Sequence, residues 1–170
     1  MQDCMQSRSS AGAAMTRQTT REAALARPPR GMDGNARCAL VTSECQTAML
    51  DPAIAMFKGL AEAAQARELP NRIASLAVAC RRAEVPVIHC TVRLLPDACA
   101  FQTASALQAV MRRNPLLQQN RPESGLHPAL GAQGTDIISD RMHGITAFYG
   151  TELESVLRGL NISTIILTGV

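Results

Sequence analysis

Charged residues stand where two apolar runs of this chain end. Glu44 follows directly on Cys38-Ala39-Leu40-Val41-Thr42-Ser43, and Arg141 and His143 follow on Ile137-Ile138-Ser139-Asp140. A carboxylate held rigidly at a strand end can act as a general base. An arginine beside it can stabilise a developing anion or hold a substrate carboxylate bidentately. A histidine there can move protons near neutral pH. Gln46 lies two residues past Glu44 and points to the same side if the strand continues, because strand side chains alternate. Phe148 and Tyr149 come just before the helix start Gly150-Thr151-Glu152-Leu153, where aromatic rings can line a pocket and a helix N-terminus favours anions. The catalytic candidates are therefore Glu44 and Arg141, and the substrate-binding candidates are Gln46, His143, Phe148 and Tyr149. Plainer readings stand beside each: a solvated charge for Glu44, an ion pair with Asp140 or Glu44 for Arg141, packing for a lone histidine, and a core anchor for Phe148.

Other chemistries find less support. His89 and His127 read as packing or loop residues. No two histidines share metal-ligand spacing with a carboxylate, so no metal is expected, and no cofactor. The six cysteines form no C-x-x-C pair, which excludes zinc-ribbon and thioredoxin-type readings. Cys38, Cys80 and Cys90 sit in apolar segments, where a free thiol behaves as a small hydrophobe. The net charge is only +3, and no basic run is interleaved with aromatics, so no nucleic-acid partner is expected. No apolar run is long enough to span a membrane and no secretory signal is visible. A reduced, cytoplasmic protein with a small-molecule substrate is the expectation.

The elements that must position these residues follow from periodicity. Residues 1–36 are rich in Ser, Thr, Gln, Arg and Ala, close on Pro28-Pro29-Arg30-Gly31, and read as a disordered tail. Residues 37–170 read as one domain. Strands are expected at 38–43, 85–92, about 136–139 and 163–168. Helical periods cover 54–66 and a segment capped by Asn71, whose Ile73, Leu76, Ala77, Cys80 and Ala83 share one face. A further helix is expected near 102–112, and another after Thr151, ending near Asn161. With 46% hydrophobic residues but only 2% aromatics, the core must be aliphatic, which suits helices packed on a parallel sheet. A helix between two apolar strands is a βαβ unit with a right-handed crossover. The fold class expected is α/β: three layers, α/β/α, Rossmann-like, with a mostly parallel sheet. The Pro- and Gly-broken segment 94–135 would shape a pocket or a subunit contact.

Several blocks resemble the isochorismatase-like cysteine hydrolases. Ala39-Leu40-Val41-Thr42-Ser43-Glu44-Cys45-Gln46 looks like that family's first strand, which ends Asp-x-Gln. Arg141-Met142-His143-Gly144-Ile145-Thr146-Ala147-Phe148-Tyr149-Gly150-Thr151-Glu152-Leu153 is similar to its Lys-containing loop and Ser-Ala-Phe-x-Gly-Thr-Asp-Leu-like segment. Leu157-Arg158-Gly159-Leu160-Asn161-Ile162 and Leu167-Thr168-Gly169-Val170 resemble the helix and fourth strand that follow. The resemblance runs over residues 37–170 and is weakest at 94–130.

The resemblance implies hydrolysis of amides or related bonds by an Asp, Lys and Cys triad. It carries the Asp role onto Glu44 and the Lys role onto Arg141. Both are departures, since Glu is one methylene longer and Arg does not give up its proton. The family's cysteine follows the Thr-Gly-Val strand by a few residues, beyond Val170, and none of the six cysteines here occupies that place. The resemblance therefore also implies an incomplete domain, a fragment whose last strand lacks its neighbours, and a tendency to homo-oligomers. The leading expectation is an isochorismatase-like hydrolase of a small amide- or carbonyl-type substrate. A non-catalytic relative that binds a small carboxylate or serves as an assembly subunit is the alternative. A redox thiol protein would need a low-pKa, exposed thiol among Cys45, Cys90 and Cys99.

Overall fold

A computed structural model describes residues 36–170; the tail expected at 1–36 thus falls almost wholly outside the described residues. Four parallel strands lie in the order β3-β2-β1-β4: β1 (Cys38–Ser43), β2 (Val87–Val92), β3 (Ile137–Arg141) and β4 (Thr164–Gly169). Leu40 stands opposite Val87 and Ile166, and Cys90 opposite Ser43 and Ser139, so all four carboxyl ends point one way. Such a sheet must be covered on both faces, and helices flank it. The helices are α1 (Thr47–Leu50), α2 (Lys58–Ala66), α3 (Leu69–Arg82), α4 (Ala106–Arg113) and α5 (Leu153–Gly159). Ala77 and Cys80 of α3 pack with Leu40 and Val87 on one face. Leu153 and Leu157 of α5 pack with Ala39, Val41, Ile88 and Cys90 on the other. The three-layer α/β/α reading holds.

Boundaries moved where local chemistry overrode periodicity. α3 begins at Leu69, ahead of the expected Asn71 cap, because Pro70 suits a first helical turn. α2 begins only at Lys58, after turns spanning residues 52–57. Ser105 caps α4 by accepting the Gln108 N–H. Asn161 ends the turn after α5 at φ 59, the left-handed stop expected of it. β3 runs two residues further than expected, to Arg141, and so carries that side chain on the sheet itself. Between β2 and β3 the chain forms α4 and short 3-10 turns, and Phe101, Met111 and Leu117 are buried there against Val92 and Leu94 at the carboxyl end of β2. On β4, Leu167 is 71% exposed.

Candidate active site

The site is built where β1 stops being a strand. Glu44 N–H still donates to Cys90 O on β2 (2.9 Å), but Glu44 itself turns into the left-handed region, φ 51. A non-glycine residue occupies that region only when its surroundings impose it. Gln46 N–H then donates to Glu44 O (2.7 Å), and the chain swings into α1. Because the strand does not continue, the alternation expected for Gln46 fails. Its amide turns inward and is completely buried. Its oxygen accepts from Val92 N–H (2.9 Å), and its nitrogen donates to Val92 O (2.9 Å) and Ser124 O. Expected to bind substrate, Gln46 instead clamps β1 to β2, its donors spent inside the protein.

Glu44 and Arg141 meet. Arg141 Nη2 donates to Glu44 Oε1 in an ion pair that reaches from β3 across β2. The register places Arg141 beside Val92, level with the end of β1. The Arg141 side chain is 1% exposed and that of Glu44 15%. Arg141 Nε is buried with no hydrogen-bond partner among the described residues. Of the two ion pairs open to Arg141 from sequence, Glu44 is the one formed. Asp140 points to the opposite face, where it accepts from Thr91 and pairs with Arg93 (3.4 Å).

His143, two residues past Arg141, sits over Gly150, where any Cβ would collide with its ring. Gly150 also has φ +68, a conformation that favours glycine. Tyr149 meets the His143 ring edge-on, centroids 5.6 Å apart at 75°. Both line a cavity of about 370 Å³ together with Gly144, Gln102 and Gln108, and no charged residue lines it. Phe148 is half exposed and does not line it. A larger hollow, about 480 Å³, is walled by Asp51, Glu68 and His127 and contains none of the expected site residues.

The two thiols nearest the pair, Cys45 and Cys90, are not activated. Burial pushes Cys45 up to about 12, although the Thr42 hydroxyl lowers it and the Glu44 charge raises it. Burial pushes Cys90 to about 11 against the lowering effect of Arg141. Thiols so placed stay protonated at neutral pH, which removes Cys45 and Cys90 from the redox reading. Among the described residues no group of three His, Cys, Asp or Glu could hold a metal ion.

Sequence reasoning missed one cluster. Thr42 and His89 are completely buried, with Oγ1 and Nδ1 2.7 Å apart. His89 Nε2 lies 3.2 Å from Asp136 Oδ2, and Arg81 grips Asp136 through Nε (2.9 Å) and Nη2. Burial would raise the Asp136 pKa, yet Arg81, the Gln133 N–H and His89 hold it down to about 2. Burial lowers that of His89. The available signal was a histidine and a threonine inside runs that are otherwise apolar.

The parallel sheet thus gathers the Glu44–Arg141 pair at its carboxyl strand ends, where parallel α/β folds place their binding sites. The family model for the isochorismatase domain matches residues 38–170, and the chain belongs to the isochorismatase family. Solved structures agree in fold. A cysteine hydrolase from Pseudomonas syringae pv. phaseolicola 1448A superposes with a TM-score of 0.64 at 24% identity, over 79% of this chain and 59% of that one. An isochorismatase family protein from Burkholderia thailandensis gives 0.60 at 27% identity, over 80% and 65%. N-carbamoylsarcosine amidase from Thermoplasma acidophilum gives 0.57 at 19% identity, over 78% and 67%. The chain thus spans about three-fifths to two-thirds of the length of these structures. No curated protein matches the sequence. No helix among the described residues is long and apolar enough to cross a membrane.

Proposed function

We propose that this chain is part of an isochorismatase-like hydrolase that acts on a small amide- or carbonyl-type substrate through a cysteine thiol supplied from beyond Val170. The observation that carries the reading is the Glu44–Arg141 pair at the strand ends. Arg141 aims the Glu44 carboxylate, and Glu44 takes the thiol proton as general base. Val170 N–H donates to Ser43 O (3.1 Å), one residue before Glu44. A thiol a few residues further on would therefore lie within reach of that carboxylate. At a helix N-terminus its pKa would fall, and the N–H groups around it would hold the oxyanion. Because Arg141 is already neutralised by Glu44 and no charge lines the cavity beside His143, the site suits an uncharged amide better than a carboxylate.

The alternative is a non-catalytic binding or assembly relative. It draws on the same pair, since a buried guanidinium cannot relay protons as a lysine can. Reading the gene past the Val170 codon separates the two. A Cys within a few residues, with turnover of small amides by the full-length protein that Glu44→Ala abolishes, supports the hydrolase. Ala, Ser or Gly at that position supports the binder. We extend the proposal to a self-associating protein, on the tendency to homo-oligomers that the family resemblance implies.

A further inference from the structure

We infer that His89 is a positioning residue for the Glu44–Arg141 pair, acting through the buried side-chain chain Arg81–Asp136–His89–Thr42 that crosses the sheet ahead of the turn carrying Glu44. The inference rests on the reading of that pair as the active pair, but not on turnover. Four elements contribute: Arg81 from α3, Asp136 from the residue before β3, His89 from β2 and Thr42 from β1.

Each proton in the chain has one place. Asp136, ionised between Arg81 and the Gln133 N–H (2.8 Å), can only accept, so His89 Nε2 carries its proton. Burial disfavours the doubly protonated ring, so Nδ1 offers a lone pair and the Thr42 hydroxyl donates to it. Hydroxyl, imidazole and carboxylate stand in the same order as in a nucleophilic triad. Here Thr42 and His89 are both 0% exposed, so the hydroxyl is out of reach of any substrate. What the bond fixes is Thr42 itself, two residues before Glu44.

Glu44 is strained at φ 51 and has to be held there. Besides its own N–H bond to Cys90 O, two side-chain stitches to β2 flank it. Before it, Thr42 bonds His89; after it, Gln46 bonds both backbone groups of Val92. Arg141 stands opposite Val92 in the next strand, and Asp136 leads into that strand. The relay thus ties together the three strands that must stay in register for Glu44 to meet Arg141. With the first stitch cut, the turn can relax and the carboxylate can move off the guanidinium.

The test reads the guanidinium directly, by NMR of the 170-residue protein. Thr42→Val removes only the hydroxyl and is expected to speed exchange of the Arg141 guanidinium N–H protons with water at least tenfold. Thr42→Ser, which keeps a hydroxyl, is expected to restore the slow rate. Leu157→Val loosens α5, which contributes no member of the chain, and is the control for general softening. In the wild type the His89 ring nitrogens should report the Nε2–H tautomer, a reading that needs no variant to fold. An Nδ1–H tautomer, or an Arg141 rate unchanged by Thr42→Val, or one raised equally by Leu157→Val, overturns the inference. A protein that hydrolyses nothing still answers the question, whereas turnover in Glu44→Ala judges the functional reading separately.

Discussion

Replacing Glu44 by Gln removes one charge from a pair whose other member cannot follow it into water. The Arg141 side chain is 1% exposed and its Nε already lacks a partner. Breaking a buried pair from one side costs roughly 3–5 kcal/mol, because the remaining ion stays desolvated without compensation. Glu44 keeps 15% of its surface in water, so part of its attraction is screened and the lower end applies, about 3 kcal/mol. For a folded unit of this size that lowers Tm by on the order of 10 °C. The double variant Glu44→Gln/Arg141→Met removes both charges and fills similar volume. It should return to within about 1 kcal/mol of the wild type. Urea unfolding of the four proteins closes the cycle, with a coupling energy of about 2 kcal/mol or more. Because the pair is buried, the coupling should hardly change between low and moderate salt. If Glu44→Gln alone costs less than about 1 kcal/mol, Arg141 reaches solvent and the reasoning from burial is wrong.

Two further outcomes are expected. Gly169 has φ +130 and lies so close to β1 that any Cβ would collide with Ser43 O, so Gly169→Ala should cost about 3 kcal/mol or more and weaken the β1–β4 contact next to Glu44; a urea midpoint close to the wild type would refute the close approach. Stability should also fall on both sides of neutrality. Cys45 and Cys90 are raised in the fold to about 12 and about 11, so their contribution is complete below the unfolded thiol value near 9.0 and is lost as pH rises above it. At pH 10 that amounts to on the order of 1 kcal/mol from each. His89 is lowered, so its contribution is present above about 6.5 and is lost as the unfolded histidine takes up its proton below that. Asp136, held to about 2, adds a loss that develops only below about pH 4. Urea midpoints of the reduced protein that are flat from pH 7.5 to 10 would contradict the burial of these thiols.

Residue pattern alone determined the layers and where β1 and β2 end. Apolar runs such as Cys38–Ser43 and Val87–Val92 have one stable use, a strand covered on both faces, and the i, i+3, i+4 spacing of Ile73, Leu76, Ala77 and Cys80 marks the face that covers it. Glu44 and Arg141 were legible because each stands directly after or at the close of such a run, where a parallel sheet places its site. Tertiary structure decided what they do. Two ion pairs were open to Arg141, and only the strand order β3-β2-β1, with Arg141 and Asp140 on opposite faces, selects Glu44. The role of Gln46 was hidden because period-two alternation assumes an unbroken strand, and a single left-handed residue at Glu44 turns the amide inward. The relay from Arg81 to Thr42 was hidden for a related reason. Its bonded neighbours lie 47 or 55 residues apart, and local periodicity carries no information about which polar side chains a parallel register will set side by side. Hydrogen-bond partners in a buried layer are chosen by strand order and register, which the whole chain settles together.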